Sequence, residues 1–122
     1  MANDFKRFTV SSVNTSVGAS ASSVYTVPAG AGSTALESIV IGISICNKNA
    51  LARTVGIFLD NLSGSSDAYI VKDLEVPGNT TVELMAGNKI VVQNSGSAGD
   101  VIRAEASNTS SIDVVLSVLE DV

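Results

Sequence analysis

Between residues 36 and 46 isoleucine recurs at every second position. Ile39, Ile41, Ile43 and Ile45 fall on one side of an extended chain, and Val40, Gly42, Ser44 and Cys46 on the other. A period of two belongs to a β-strand, because successive side chains there point to opposite faces of the sheet. β-Branched side chains suit a pleated surface, so the run is predicted to be a central strand with its four isoleucines in the core. The same alternation returns near the end of the chain, where Ile112, Val114, Leu116 and Val118 interleave with Asp113, Val115, Ser117 and Leu119. Shorter extended segments are read at residues 5–13, 24–27, 52–60, 68–76, 80–85, 89–93 and 100–106. Each is bounded by turn formers such as Pro28, Asn47-Lys48-Asn49, Pro77-Gly78, Ala86-Gly87-Asn88 and Ser107-Asn108-Thr109. About eight or nine strands at turn-marked intervals predict an all-β fold, a single antiparallel β-sandwich that is jelly-roll-like or Ig-like. No stretch long enough for a full helix carries a helical period; a single helical turn fits near residues 31–37.

The chain has 122 residues, of which 45% are hydrophobic, enough for one domain with a real core. Residues 24–122 are expected to form the sandwich, and residues 1–23 an N-terminal strand followed by a small, polar, flexible or docking arm. Seven basic against twelve acidic residues leave a net charge of −5, which argues against an overall nucleic-acid footprint. The first eight residues carry charges of both signs and lead into no apolar run, so a cleaved secretory signal is not expected. Nor is a membrane span, since the most apolar stretch, residues 39–46, is far too short.

The absence of histidine and the presence of one cysteine exclude a His-based triad, a His-ligated zinc, a cysteine cluster and an internal disulfide. Cys46 is read as a small buried hydrophobe. The glycine-rich Gly30-Ala31-Gly32-Ser33 lacks the lysine of a phosphate loop. Asp60-Asn61-Leu62-Ser63-Gly64-Ser65-Ser66-Asp67 is rich in oxygens but lacks the acidic spacing of a calcium loop. Asp73 and Glu75 form an acidic pair on one strand, for which solubility is the simpler reading than a glycosidase pair. No catalytic residue, metal ligand or cofactor is predicted.

What stands out instead is a surplus of apolar side chains. Under simple alternation Phe58, Val91, Ile102, Val115 and Leu119 point away from the primary core, the pattern of a buried second layer or a subunit contact. Lys6 and Arg7, flanked by Phe5 and Phe8, form the one local cluster mixing basic and aromatic residues. An ordinary edge strand with solvent-facing charges is the simplest reading, docking against an acidic protein neighbour the functional one, and nucleic-acid contact the least favoured, since two cations supply little affinity. These nine residues are the candidate interface.

Several segments together resemble small virion structural proteins of tailed bacteriophages, of the marine and cyanobacterial type. They are Val24-Tyr25-Thr26-Val27-Pro28-Ala29-Gly30, residues 39–47, Tyr69-Ile70-Val71-Lys72-Asp73 with Val76-Pro77-Gly78, Gly87-Asn88-Lys89-Ile90-Val91-Val92 and residues 111–120. The longer loop at residues 95–100 departs from that pattern. The resemblance implies a non-enzymatic β-sandwich building block, located in the virion after synthesis in the host cytoplasm. A head decoration or cement protein is the first expectation. A tail, neck or fibre-associated protein is the second, and a carbohydrate-binding module, with Tyr25 and Tyr69 as stacking aromatics, the third. The expected partners are other copies of the chain, a trimer being favoured, and virion proteins such as the major capsid protein or tail proteins; direct nucleic-acid and membrane contacts are not expected.

Overall fold

Alternating hydrophobicity becomes nine strands in the computed structural model, which describes residues 3–64, 66–85 and 89–121. They are β1 (Asn3–Val10), β2 (Ser22–Thr26), β3 (Leu36–Asn47), β4 (Arg53–Asp60), β5 (Ala68–Val76), β6 (Thr80–Glu83), β7 (Ile90–Asn94), β8 (Val101–Ala106) and β9 (Ile112–Asp121). A five-stranded sheet runs β1-β9-β3-β6, with β7 pairing the other stretch of β3, and a four-stranded sheet runs β2-β8-β4-β5. All pairings are antiparallel. The pairs nest like one long hairpin folded over on itself, β1 against β9, β2 against β8, β3 against β6 and β7, and β4 against β5. That is the strand order of a jelly roll. The one helical element among the described residues is a 3-10 turn at Gly18–Ser20 rather than at residues 31–37. The turn expected at residues 86–88 lies outside the described residues, as does Ser65 of the loop before β5.

The core lies between the sheets. Val40, Ile43, Ile45, Ile112, Val114, Leu116 and Val118 come from the larger sheet, and Tyr25, Val55, Ile57, Ile102, Ala104 and Ala106 from the smaller. β9 matches strict alternation, but β3 does not. Its inward residues are Leu36, Ser38 and Val40, then Ile43, Ile45 and Asn47. A bulge against β9 between Val40 and Gly42 inserts one residue and reverses the phase. Ile39 and Ile41 therefore stand on the outer face, contrary to the sequence expectation, while Ile43 and Ile45 are core as expected. Cys46 is likewise outward and only partly covered, not a core residue.

The turns are held by side-chain amides. Asn47 is buried and donates from Nδ2 to the carbonyls of Leu51 and Val76, at 2.9 and 3.0 Å, joining the β3–β4 and β5–β6 turns. Between those turns a Cβ on Gly78 would lie 2.1 Å from the Ala50 carbonyl oxygen, so only glycine fits. Asn94 plays the same part at the other end, donating to the Val27 carbonyl at 2.8 Å and accepting from the Gly96 amide at 2.7 Å.

The N-terminal segment does not stand off the sandwich as an arm. β1 pairs residue for residue with β9 from Asn3↔Asp121 to Val10↔Val114, and beyond it Val13 and Ala21 are buried.

Candidate interaction surface

The outer face of the five-stranded sheet carries a row of apolar side chains aligned by strand register. Phe5 on β1 stands opposite Leu119 on β9, Leu119 opposite Ile39 on β3, and Ile39 opposite Val91 on β7. Directly opposed residues share a face and lie within contact distance, so the four form one stripe across four strands. Its two ends are the most open: Phe5 is 77% exposed and Val91 56%. Val115 is a further exposed apolar residue on this face, opposite Thr9 and Ser44. Between Val115 and the stripe a shallow depression of about 320 Å³ is lined by Phe5, Arg7, Ile41 and Ser117.

Five of the nine interface candidates, Phe5, Arg7, Val91, Val115 and Leu119, thus share this face. Ile39 and Ile41 belong to the same surface, although simple alternation predicts them in the core. The signal that identifies them is Gly42, because a glycine inside a strand often marks a bulge.

The other candidates lie elsewhere. Ile102 is a core residue, 1% exposed, which corrects the outward placement. In β8 the phase places Ile102, Ala104 and Ala106 inward and Arg103 and Glu105 outward. Phe58 does point away from the central core, from the outer face of the four-stranded sheet, but the chain covers it to 8% exposure. The Tyr69 ring meets it edge-on at 5.0 Å, with Lys72 Nζ above the tyrosine at 4.9 Å. Phe8 packs inward against Tyr25, ring centres 4.5 Å apart.

Lys6 also lies toward the inside, at the sheet edge. Its Nζ is 2.9 Å from Oε1 of Glu120, an almost fully buried carboxylate, and this ion pair is that oxygen's contact among the described residues. Tyr25 donates from the opposite sheet to Glu120 Oε2 at 2.6 Å, and its oxygen accepts from Ser38, 2.9 Å away. Burial pushes the Glu120 carboxyl up, but the Tyr25 hydrogen bond, with the hydrogen bond and charge of Lys6, outweighs it and holds the pKa below the ordinary value. Tyr25 is shifted well upward, first by burial and then by its bond to Glu120. Lys6 is raised by the same carboxylate. This network anchors the edge strand β1 to both sheets. It also buries Tyr25, leaving Tyr69 as the accessible member of the pair considered for stacking on sugars.

Of the acidic groups considered as ligands or catalysts, Asp60 and Asp67 have structural partners, as does the neighbouring Asp100. Asp60 Oδ2 is 3.0 Å from Arg103 Nε. Asp100 accepts from the amides of Ser63 and Gln93, both at 2.9 Å, and Asp67 accepts from the Asn61 amide at 2.8 Å. Asp73 and Glu75 lie exposed on β5, with Asp73 in the left-handed region at φ 53°. Comparison with protein-family models, with curated proteins and with solved structures returns no match.

Proposed function

We propose that this chain is a non-enzymatic structural protein of a tailed-phage virion, working as a head decoration or cement protein. The observation that carries the reading is the stripe Phe5–Leu119–Ile39–Val91, an apolar row across the outer face of the five-stranded sheet with partly covered central members and open ends. Contiguous exposed apolar surface is characteristic of contact sites. Burying a side chain the size of Phe5 contributes about 1.5–3 kcal/mol, and a shell repeats that contact at every site. The partners proposed are further copies of the chain and the neighbouring capsid protein, and binding would stabilise the shell by mass action as sites fill. The jelly-roll strand order accords with this reading without selecting it, since the architecture serves capsid and lectin domains alike.

A tail, neck or fibre location is the second reading, resting on the same stripe, and copy number separates the two. Quantitative mass spectrometry of intact particles is expected to find the protein at hundreds of copies; a dozen or fewer moves it to the tail. Absence from purified particles, or failure to bind particles stripped of it, overturns the virion reading.

A further inference from the structure

β1 is an edge strand. Its partner is β9, and among the described residues no strand pairs its other side. An edge of eight residues offers a row of backbone donors and acceptors to any strand that can align with it, and here the side chains decide which strand fits. We propose that β1 pairs with β1 of a second copy, antiparallel, about a twofold axis through Phe5. The inference rests on the reading that this protein assembles through its five-stranded sheet, and it names the partner and the register.

Charge selects that register. In a twofold antiparallel pair one residue faces itself, and its neighbours face each other in exchange. An axis at Phe5 sets Asp4 against Lys6 of the partner subunit, and Lys6 against Asp4 of the partner subunit, giving two attractive pairs. An axis at Asp4 sets carboxylate against carboxylate, at Lys6 ammonium against ammonium, and at Arg7 guanidinium against guanidinium. An axis at Phe8 sets Lys6 against Val10. Only the Phe5 register pairs opposite charges twice and opposes no like charges.

Geometry supports the same choice. Phe5 is 77% exposed and ends the apolar stripe at the sheet edge, so facing phenyl rings would join the stripes of both copies into one row. That row would cross eight strands, about 34 Å at the usual strand spacing. The edge is also held ready, because Lys6 is fixed by buried Glu120 at 2.9 Å and Phe8 by Tyr25. The overlap is short, so the dimer is expected to be concentration-dependent and to resist dilution only when held on a larger surface.

The test uses the full chain in a Cys46→Ser background. Directly opposed antiparallel residues have Cα atoms about 4.5–5.5 Å apart, within disulfide range. Phe5→Cys is therefore expected to give a covalent dimer on mild oxidation. Thr9→Cys on the same face should not, since the two copies of residue 9 would lie about 27 Å apart. In sedimentation equilibrium of the otherwise unaltered chain, Asp4→Lys is expected to weaken dimerisation about tenfold. Phe5→Glu should abolish it with the unfolding midpoint unchanged. A monomer at every concentration, a trimer, or equal cross-linking at both positions overturns the proposal. If instead the dimer forms but the protein is absent from particles, the virion reading falls and the edge pairing stands.

Discussion

The outer faces of the two sheets have opposite fates. Over the four-stranded sheet the chain supplies its own cover. The connection from β1 to β2 crosses it, the Gly18 amide donating to Glu105 Oε2 at 2.9 Å and the Ala21 carbonyl accepting from Arg103 at 3.1 Å. Beneath, Arg103 pairs with Asp60, Tyr69 donates to Glu105 at 2.7 Å, and Phe58 is enclosed. Over the five-stranded sheet nothing comparable is laid down among the described residues, and Phe5 and Val91 stay open. One face is covered within the molecule and the other stays open among the described residues, which is where the proposed partner would sit. Similar residue types thus carry different meanings: Phe58 is enclosed and contributes to folding, whereas Phe5 stands exposed, free for the association proposed above.

That contrast is most exposed to failure in the two phenylalanines. Phe58→Ala is expected to cost about 3–4 kcal/mol, the range for emptying a covered aromatic site, measured as a fall in the urea midpoint. A loss under 1 kcal/mol would mean its cover is not tight and the two faces are alike. Next, Arg103→Ala leaves Asp60 covered and without its cation and frees the Ala21 carbonyl. Since Arg103 is partly exposed, we expect about 2 kcal/mol rather than the full cost of breaking a buried pair. Amide exchange should accelerate at residues 18–21 before it does in β3 or β9.

The anchor under the open face is tested by pH. Glu120 is held below 4.5 by Tyr25 and Lys6 against the opposing effect of burial. Asp113 is held below 3.8 by Lys48 and the Ser12 amide, again against burial. Both stabilise the fold above the ordinary carboxylate range, and that stabilisation is lost as pH falls through their depressed values. Lys6 and Tyr25 are raised, so their contribution is complete below about pH 10 and lost above it. Stability should therefore plateau between about pH 5 and 9 and fall at both ends. Glu120→Gln is expected to flatten the acid limb, seen in thermal melts across that range; an unchanged limb would place the acid sensitivity elsewhere. The smallest effect belongs to Phe5→Ala, within about 0.5 kcal/mol of the starting stability, with its consequence confined to self-association.

The sandwich was legible because most strands alternate cleanly and most turns carry glycine, proline or asparagine. β9 is the plainest case. The outer stripe was half legible: Val91, Val115 and Leu119 break the polar-out rule and so announce themselves. Ile39 and Ile41 did not, because a one-residue bulge reverses phase in a run that reads perfectly without it. Ile102 failed for a related reason, since Val101 and Ile102 are adjacent and apolar and alternation alone cannot say which faces in. The buried carboxylates were beyond reach, because their partners are distant in sequence. Tyr25 and Glu120 are 95 residues apart, and Tyr69 and Glu105 are 36 apart.

The pairing of β1 with β9 also sets an order of events during synthesis. Residues 3–10 emerge before residues 112–121 but have no sheet edge to join until those exist, and the carboxylate that fixes Lys6 arrives with β9. A nascent or shortened chain therefore lacks the ordered edge and the stripe that passes through Phe5 and Leu119. Because domains fold as units while exposed strands invite misassembly, the pairing proposed for β1 would become possible only once the sandwich closes.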